Sequence, residues 1–436
     1  MPAQQPIQRP QTRPHLAMDT VRPIAKNLVF LIRNLEYGGA PRQFTNLAIR
    51  LSRQGFTVTV CYFYPGGPLE REFADTAIQT ICLDKRGRWD VLHCSLKLLQ
   101  HLRRLCPEVL YSYGTANIFA IFLKPFLPTT RIAWRIGSAN IDPREQDWLA
   151  KLLGRVANAF SRHADVIIVN SYAGYADCAA RGFPVGKMAV IPSGIDIERF
   201  APDPEAGASV RAAWRIPAEA IVIGLVGRLV PRKDHPTFLK ATARLCAERQ
   251  DVYVVCIGKG PGPYAKELSR LAAQLGIAER VRWAGPRADM PAVYNALTVA
   301  VSASASGEGC SNAIGEAMAC GIPCIVTDVG DSARIVGETG LVVPPRDPFA
   351  LHAALKRLIA GMESHGFDRN STRRRIVHML SLDQVVVQTA AALFGTDFIA
   401  SRGSAGAFPH NVEGEAGWKS CSRGQCDTGR VCAHPW

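Results

Sequence analysis

Ser306 to Asp328 reads SGEGCSNAIGEAMACGIPCIVTD, and the order of residue types spells loop, helix, stop and strand. Gly307 and Gly309 permit backbone angles that other residues avoid. Ser311 is placed to cap a helix that begins near Asn312. Gly321 ends that helix, and Pro323 prevents its continuation. Cys324 to Thr327 is a short apolar run between Pro and Asp, the pattern of a buried strand. Glu308 lies in the loop and Glu316 in the helix, with seven residues between them. A helix start offers unpaired N–H groups and partial positive charge to a phosphate. A carboxylate beside it accepts hydrogen bonds from sugar or ribose hydroxyls. The unit suits a ligand carrying both phosphates and hydroxyls; the bland alternative is an exposed helix glutamate and a plain turn.

Upstream, strand and helix patterns alternate twice. Asn27–Ile32 reads as a buried strand, and Gly38-Gly39-Ala40 leads into a helical pattern that runs to Leu51. Strands follow at Phe56–Phe63, Val109–Tyr113, Arg131–Ile136 and Val166–Asn170, with helices at Val91–Leu105 and Trp148–His163. A second alternation starts at Ile221–Val226 and continues through strands at Val252–Ile257, Val281–Ala284 and Thr298–Ser302. Repeated βα units imply parallel, doubly wound sheets. The polar, Pro-rich stretch Pro202–Gly207 reads as linker. Helical runs at Pro348–Ala360 and Gln384–Phe394 close the pattern. Residues 1–25 and 396–436 have the composition of disordered tails.

Two loops carry further chemistry. Arg228 and Lys233 follow the strand Ile221–Val226 and Gly227, where a guanidinium fork and an ammonium reach a diphosphate; two merely exposed basic residues would read the same. Gly258-Lys259-Gly260-Pro261-Gly262 nearly copies a dinucleotide fingerprint, but its third position is Pro263 and no helix is expected to open there. That excludes a nicotinamide site and leaves Gly258 as part of a loop lining a nucleotide cleft. Arg287 is a candidate for base or ribose contact.

The segment GEGCSN-x3-EAMACGIPCIVTDVG resembles the donor-site signature of retaining nucleotide-sugar glycosyltransferases of group 1 (family 4). GRL-x3-KD at Gly227–Asp234, VIPSGID at Val190–Asp196 and the Gly-Gly-Ala loop are similar to other segments of that family. The family has the GT-B fold, two Rossmann-like domains facing across a cleft. The resemblance implies an acceptor-side domain over 26–195, a donor domain over 196–379, and a last helix at about 380–395 that crosses back. It implies that Glu308 contacts the donor sugar, Glu316 the ribose, and Arg228 with Lys233 the diphosphate. Gly38, Gly39, Gly227, Gly258, Arg287, Gly309, Cys310, Ser311 and Asn312 complete the expected donor site. One departure is visible: the family usually has Phe-Pro where this chain has Cys310-Ser311. No Asp-x-Asp occurs, so no metal-bridged diphosphate is required, and no metal or other cofactor is expected.

Acceptor contacts are sought in YSYGTAN and WRIGSAN, at Tyr113, Asn117, Arg135, Ser138 and Asn140. Neither loop holds a histidine, so no general base is assigned. The formal net charge is +14, yet no basic run interleaved with aromatics suggests nucleic acid. Arg131, Arg135, Arg144, Lys151 and Arg155 make the first domain basic, either as a patch for an anionic membrane or as a solvated face. Of the thirteen cysteines, ten lie singly before residue 330 and read as small buried hydrophobes of a reducing compartment. The N-terminus lacks the apolar core of a secretory signal, so a cytoplasmic protein is expected, peripheral to the membrane if the basic patch touches lipid. The expected function is metal-independent, retaining transfer from a UDP-, GDP- or ADP-sugar to a polysaccharide or lipid-linked acceptor. An epimerase on the same fold, or a degenerate nucleotide-sugar-binding scaffold, is the alternative.

Overall fold

The computed structural model describes residues 26–137, 148–260 and 262–395. The first sheet contains β1 (Asn27–Ile32), β2 (Thr57–Tyr62), β3 (Gln79–Cys82), β4 (Val109–Tyr113), β5 (Arg131–Ile136), β6 (Val166–Val169) and β7 (Met188–Val190). The second contains β8 (Ile221–Val226), β9 (Val252–Ile257), β10 (Val281–Gly285), β11 (Val299–Ser302), β12 (Cys324–Thr327) and β13 (Leu341–Val343). The strand orders are β3-β2-β1-β4-β5-β6-β7 and β10-β9-β8-β11-β12-β13. Every pairing is parallel. Parallel strands need crossover helices, which cover both faces of a sheet. Near-continuous apolar strands such as NLVFLI and IVIGLV are therefore buried almost end to end. Strand order reverses between β1 and β4 and between β8 and β11. These reversals open a crevice at the carboxyl ends of the strands, where ligands of doubly wound sheets bind.

Each sheet lies between two apolar layers. On one face of the first, Phe30, Phe44 and Tyr111 pack with Leu382, Val386 and Leu393 of the helix Leu382–Phe394. The last helix thus completes the core of the first domain. On the other face, Leu98, Leu102, Ile121 and Trp134 form a second layer under the helices Val91–Leu105 and Ala116–Leu123. The second sheet packs against the helices His235–Glu248 and Pro348–His365 on one side. The helices Asn312–Ala319 and Arg369–Leu380 cover the other.

The chain passes twice between the domains, and the two passages pair. Ile195 N donates to Leu380 O at 2.7 Å, and Leu382 N donates to Ile195 O at 2.9 Å. A Cβ on Gly194 would stand 2.8 Å from the Leu382 side chain, so only glycine admits this approach. Arg50 ties the junction further, with Glu198 at 3.0 Å, Asp196 at 3.6 Å and Asp383 at 3.7 Å.

Several local expectations change. The Pro-rich stretch after residue 202 is not linker: Pro204–Ala213 is a helix. Proline is favourable at a first helical position, and Asp203 caps the helix by accepting from Ala206 N. A helix also opens after the near-fingerprint loop, at Gly262–Gln274, again with proline early in its first turn. The short strands β3, β7 and β13 and the helices Ala116–Leu123, Tyr172–Ala180 and Arg369–Leu380 add to the elements expected from the sequence. Three or four residues carry too little periodicity to read. Of the ten cysteines in the described residues, eight are buried, Cys82 is half-buried and Cys106 is exposed. Among the described residues no helix is long and apolar enough to cross a membrane. The two tails, Ser138, Asn140 and Arg144 lie outside the described residues.

Candidate active site

The loop after β8 sets the cationic side of the crevice. Gly227 N donates to Ile257 O at 2.9 Å, which fastens this loop to the end of β9. A Cβ on Gly258 would lie 2.0 Å from Gly227 O, and Gly258 has φ +148°, so glycine is required where the two loops touch. A short 3-10 turn, Pro231–Lys233, follows. Asp234 then adopts the left-handed region (φ 47°) and caps the helix His235–Glu248 through Thr237 N. That abrupt turn sends Lys233 back toward the loop after β11.

Lys233 Nζ donates to both oxygens of Glu308, at 2.9 and 2.8 Å. Ser304 Oγ adds a bond to Glu308 Oε2 at 3.3 Å, and the Ser311 hydroxyl adds another. Burial pushes the Glu308 carboxyl up, but Lys233, Ser311 and Arg232 together hold it below the usual range. Arg228 is lowered as well: burial and the neighbouring Arg232 reduce its proton affinity, and Glu308 offsets only part of this. Lys233 thus pairs directly with Glu308, while Arg228 and Arg232 lie near enough to share the charge of that carboxylate.

Glu308 and Glu316 have different surroundings. Glu316 accepts a bond from the Tyr294 hydroxyl at 2.8 Å. Burial pushes its carboxyl up to about 7, and Tyr294, Arg199 and Arg42 counter only part of that effect. Glu316 is thus no ordinary exposed helix residue. Ser311 occupies the N-cap position, but its side chain makes no capping bond and serves Glu308 instead. The first N–H groups of the helix Asn312–Ala319 consequently remain open to an anion.

The first domain closes over this loop. Gly38 and Gly39 start the helix Gly39–Arg53, which has neither a side-chain cap nor an acidic residue in its first turn. Asn312 Nδ2 reaches across to Gly39 O at 3.1 Å. A Cβ on Gly309 would stand 2.5 Å from Asn170 Oδ1, so this glycine lets the first domain approach. Asp331 accepts from Tyr172 N and Ala173 N at 2.8 and 2.9 Å, adding its charge to the start of the helix Tyr172–Ala180. Cys310 is buried beside Ser193, and burial pushes its thiol up to about 11. In the pair Cys310-Ser311, one residue packs the domain seam and the other holds Glu308.

The acceptor-side candidates behave differently. Arg135 is buried and donates to the carbonyls of Ile191 and Pro192 at 2.8 and 3.1 Å. Asn117 accepts from Ser112 Oγ at 2.8 Å and donates to Arg135 O at 3.2 Å. Both residues brace the domain rather than face the cleft. Arg131, from the expected basic patch, donates to Leu393 O in the last helix. Tyr113 stays near the crevice, close enough to Arg232 to feel its charge. Arg287 does not join the cluster. Its guanidinium is bound to Asp289 at 2.8 Å, beyond the edge strand β10, three strands from β11. Arg232, Ser304, Tyr294 and Asp331 belong to the site although no motif named them. Only Arg232 had a local signal, the Arg-Lys pair within the same turn.

Two Rossmann-like sheets with a cation-lined crevice at their reversal points define the GT-B class. Residues 220–361 match the model of the "Glycosyl transferases group 1" family, and residues 37–199 match "Glycosyltransferase Family 4". Together the matches take in most of the chain, which belongs to the group 1, family 4 glycosyltransferases. A D-inositol 3-phosphate glycosyltransferase of Corynebacterium urealyticum is 37% identical over 210 residues, covering 45% of this chain and 49% of that protein. A GDP-mannose-dependent alpha-(1-6)-phosphatidylinositol monomannoside mannosyltransferase of Mycolicibacterium smegmatis is 31% identical, covering 51% of this chain and 60% of that protein. The chain spans about half the length of the curated relatives it matches. Among solved structures, Anabaena HepE in complex with UDP-glucose superposes with a TM-score of 0.75 at 20% identity, covering 86% of this chain and 99% of that one. That likeness concerns the fold.

Proposed function

We propose that the protein transfers a sugar, with retention at the anomeric carbon and without a metal, from a nucleoside-diphosphate sugar to a glycan or lipid-linked acceptor. One observation carries this reading: Lys233 pairs with Glu308 beside an uncapped helix start, and Arg228 and Arg232 lie near enough to the same carboxylate to feel its charge. The diphosphate takes Lys233 and Arg228, and the cations stabilise the charge that develops as it leaves. Release from Lys233 turns Glu308 toward the sugar hydroxyls, which orients the anomeric carbon. Glu316, held by Tyr294 at one oxygen, keeps the other for a ribose hydroxyl. The acceptor oxygen attacks on the face the diphosphate leaves. A new C–O bond forms as the old one breaks, and the acceptor proton passes to the leaving phosphate oxygen, so no protein base is needed.

The names of the relatives support a nucleotide-sugar donor and a phosphate-bearing polyol or lipid-linked acceptor. A thermal-shift series over UDP, GDP, ADP and their sugars tests the donor, because a ligand of the native state raises the melting temperature. No stabilisation by any of them overturns the reading. NMR of the product tests the stereochemistry, and an inverted anomer removes the same-face route. Unchanged turnover in EDTA is expected, since Arg228, Arg232 and Lys233 supply the charge a metal would otherwise bring. Binding without turnover would indicate a scaffold, and interconversion of the free donor an epimerase.

A further inference from the structure

One short turn in the second domain touches both the donor loop and the first domain. After β12 the chain turns through Val329 and Gly330 into Asp331, which precedes the helix Ser332–Val336. Gly330 has φ +63°, and a Cβ there would stand 2.3 Å from Glu308 O and 2.8 Å from Gly309 O. Only glycine lets this turn pack backbone against backbone on the donor loop. Asp331 N then donates to Gly309 O at 3.0 Å. The other side of the same loop belongs to the first domain: a Cβ on Gly309 would stand 2.5 Å from Asn170 Oδ1 and 3.0 Å from Ser171 Oγ. The backbone of Glu308 and Gly309 is thus held between residues 330–331 of its own domain and residues 170–171 of the other.

The Asp331 carboxylate closes this arrangement. Its Oδ2 accepts from Tyr172 N at 2.8 Å and its Oδ1 from Ala173 N at 2.9 Å. Ser171, the N-cap of the same helix, accepts from Gly174 N at 3.0 Å. The first three N–H groups of Tyr172–Ala180 are therefore satisfied, two of them by a residue of the other domain. The partial positive charge of a helix start favours a carboxylate there. The Arg334 guanidinium lies over the Tyr172 ring, 4.1 Å from its centroid, and adds a second contact along the same seam. The groups assigned to the diphosphate, by contrast, all belong to the second domain: Arg228, Lys233 and the N–H groups of the helix Asn312–Ala319. Holding the diphosphate does not need the seam, whereas holding the backbone of Glu308 does.

We propose that Asp331 is a positioning residue: through its backbone N–H and its carboxylate it fixes the Glu308 loop to the first domain, so that the sugar-orienting carboxylate is set where the two domains meet. Its part in transfer rests on the transferase reading, but the fixation is measured first without a donor, by hydrogen exchange over residues 304–312 of the full chain. Asp331→Ala should speed exchange there at least tenfold, while the core strands β1 and β8 keep their rates. Tyr172→Pro should do the same from the other domain. Proline suits a first helical position and removes the N–H, and Ser171 before it is already extended (φ −160°, ψ 154°). Tyr172→Ala, which keeps the N–H and loses the ring beside Arg334, should have little effect. The Asp331→Ala/Tyr172→Pro double variant should exchange no faster than the faster single one, because both changes break the same contact. In turnover of the nucleotide sugar that most stabilises the wild type, Asp331→Ala should lower kcat at least tenfold with KM for the donor within about threefold. Asp331→Asn, which keeps an acceptor oxygen, should recover part of that loss. Unchanged exchange over 304–312 in either single variant, effects that add in the double variant, or a lowered melting temperature with kcat intact would overturn the proposal. If no nucleotide sugar stabilises the wild type, the transferase reading fails while the exchange rates still decide the fixation, so the two readings fail separately.

Discussion

The two sides of the crevice are built from the same unit, a parallel strand followed by a loop and a helix, but they use their polar residues in opposite ways. On the second domain, the loops after β8 and β11 turn Arg228, Arg232, Lys233 and Glu308 toward one another. On the first domain, Asn117 in the first turn of the helix Ala116–Leu123 and Arg135 near the end of β5 also stand at the carboxyl edge of the sheet, yet they turn inward to hold Ser112 and the carbonyls of Ile191 and Pro192. The same residue types at the ends of strands thus mark a binding site in one sheet and a brace in the other. What differs is where the partner atoms lie, and those partners are distant in sequence.

The largest effect should come from Lys233. Its removal takes away a diphosphate contact and leaves Glu308 buried without its cation. Lys233→Ala should cut transfer at least a hundredfold and cost about 3 kcal/mol of stability. Lys233→Met/Glu308→Gln should recover much of the stability and none of the activity. Equilibrium denaturation beside an activity assay distinguishes the two effects, and a fully stable Lys233→Ala protein would break the comparison.

Arg228→Ala comes next. It should lower kcat roughly a hundredfold without loss of stability, because Arg228 is held against the repulsion of Arg232.

Glu316 should control the pH dependence. Its carboxyl sits at about 7 instead of 4.5, so the folded chain keeps a proton that the unfolded chain has lost. Stability therefore falls as pH rises from about 4.5 through 7. Donor affinity moves the opposite way: ribose hydroxyls donate to the ionised form, so binding tightens as pH rises through 7 and releases protons. Calorimetry in buffers of different ionisation enthalpy measures that release. Glu316→Gln should abolish both trends.

The smallest effects should separate brace from cleft on the first domain. Asn117→Ala should cost about 1–3 kcal/mol by stranding buried polar partners and leave KM nearly unchanged. Tyr113→Phe should leave stability unchanged and, if Tyr113 touches the acceptor, raise KM for the acceptor several-fold.

Much of this arrangement was legible in the chain. The alternation of apolar runs with helical periodicity dictated two parallel sheets. The glycines at 307 and 321 and the proline at 323 marked the helix Asn312–Ala319 and β12 with their bounds. Local composition sufficed because burial on both faces leaves a parallel strand few alternatives to an unbroken apolar run. The helices Pro204–Ala213 and Tyr172–Ala180 are not legible in the sequence because their short patterns compete with proline and glycine signals that also mean turn.

The partners of each polar group were decided elsewhere. Nothing near residue 308 in the sequence tells that Lys233, 75 residues away, will take both of its carboxylate oxygens. Nothing near residue 316 announces Tyr294, and nothing near residue 331 announces a helix start 159 residues back. Charge and hydrogen bonding act over a few ångströms, and only the folded chain sets which groups come that close. The stretch from Ser306 to Asp328 thus determined its own loop, helix and strand, while the tertiary fold decided that Glu308 is ion-paired and Glu316 shifted toward neutrality.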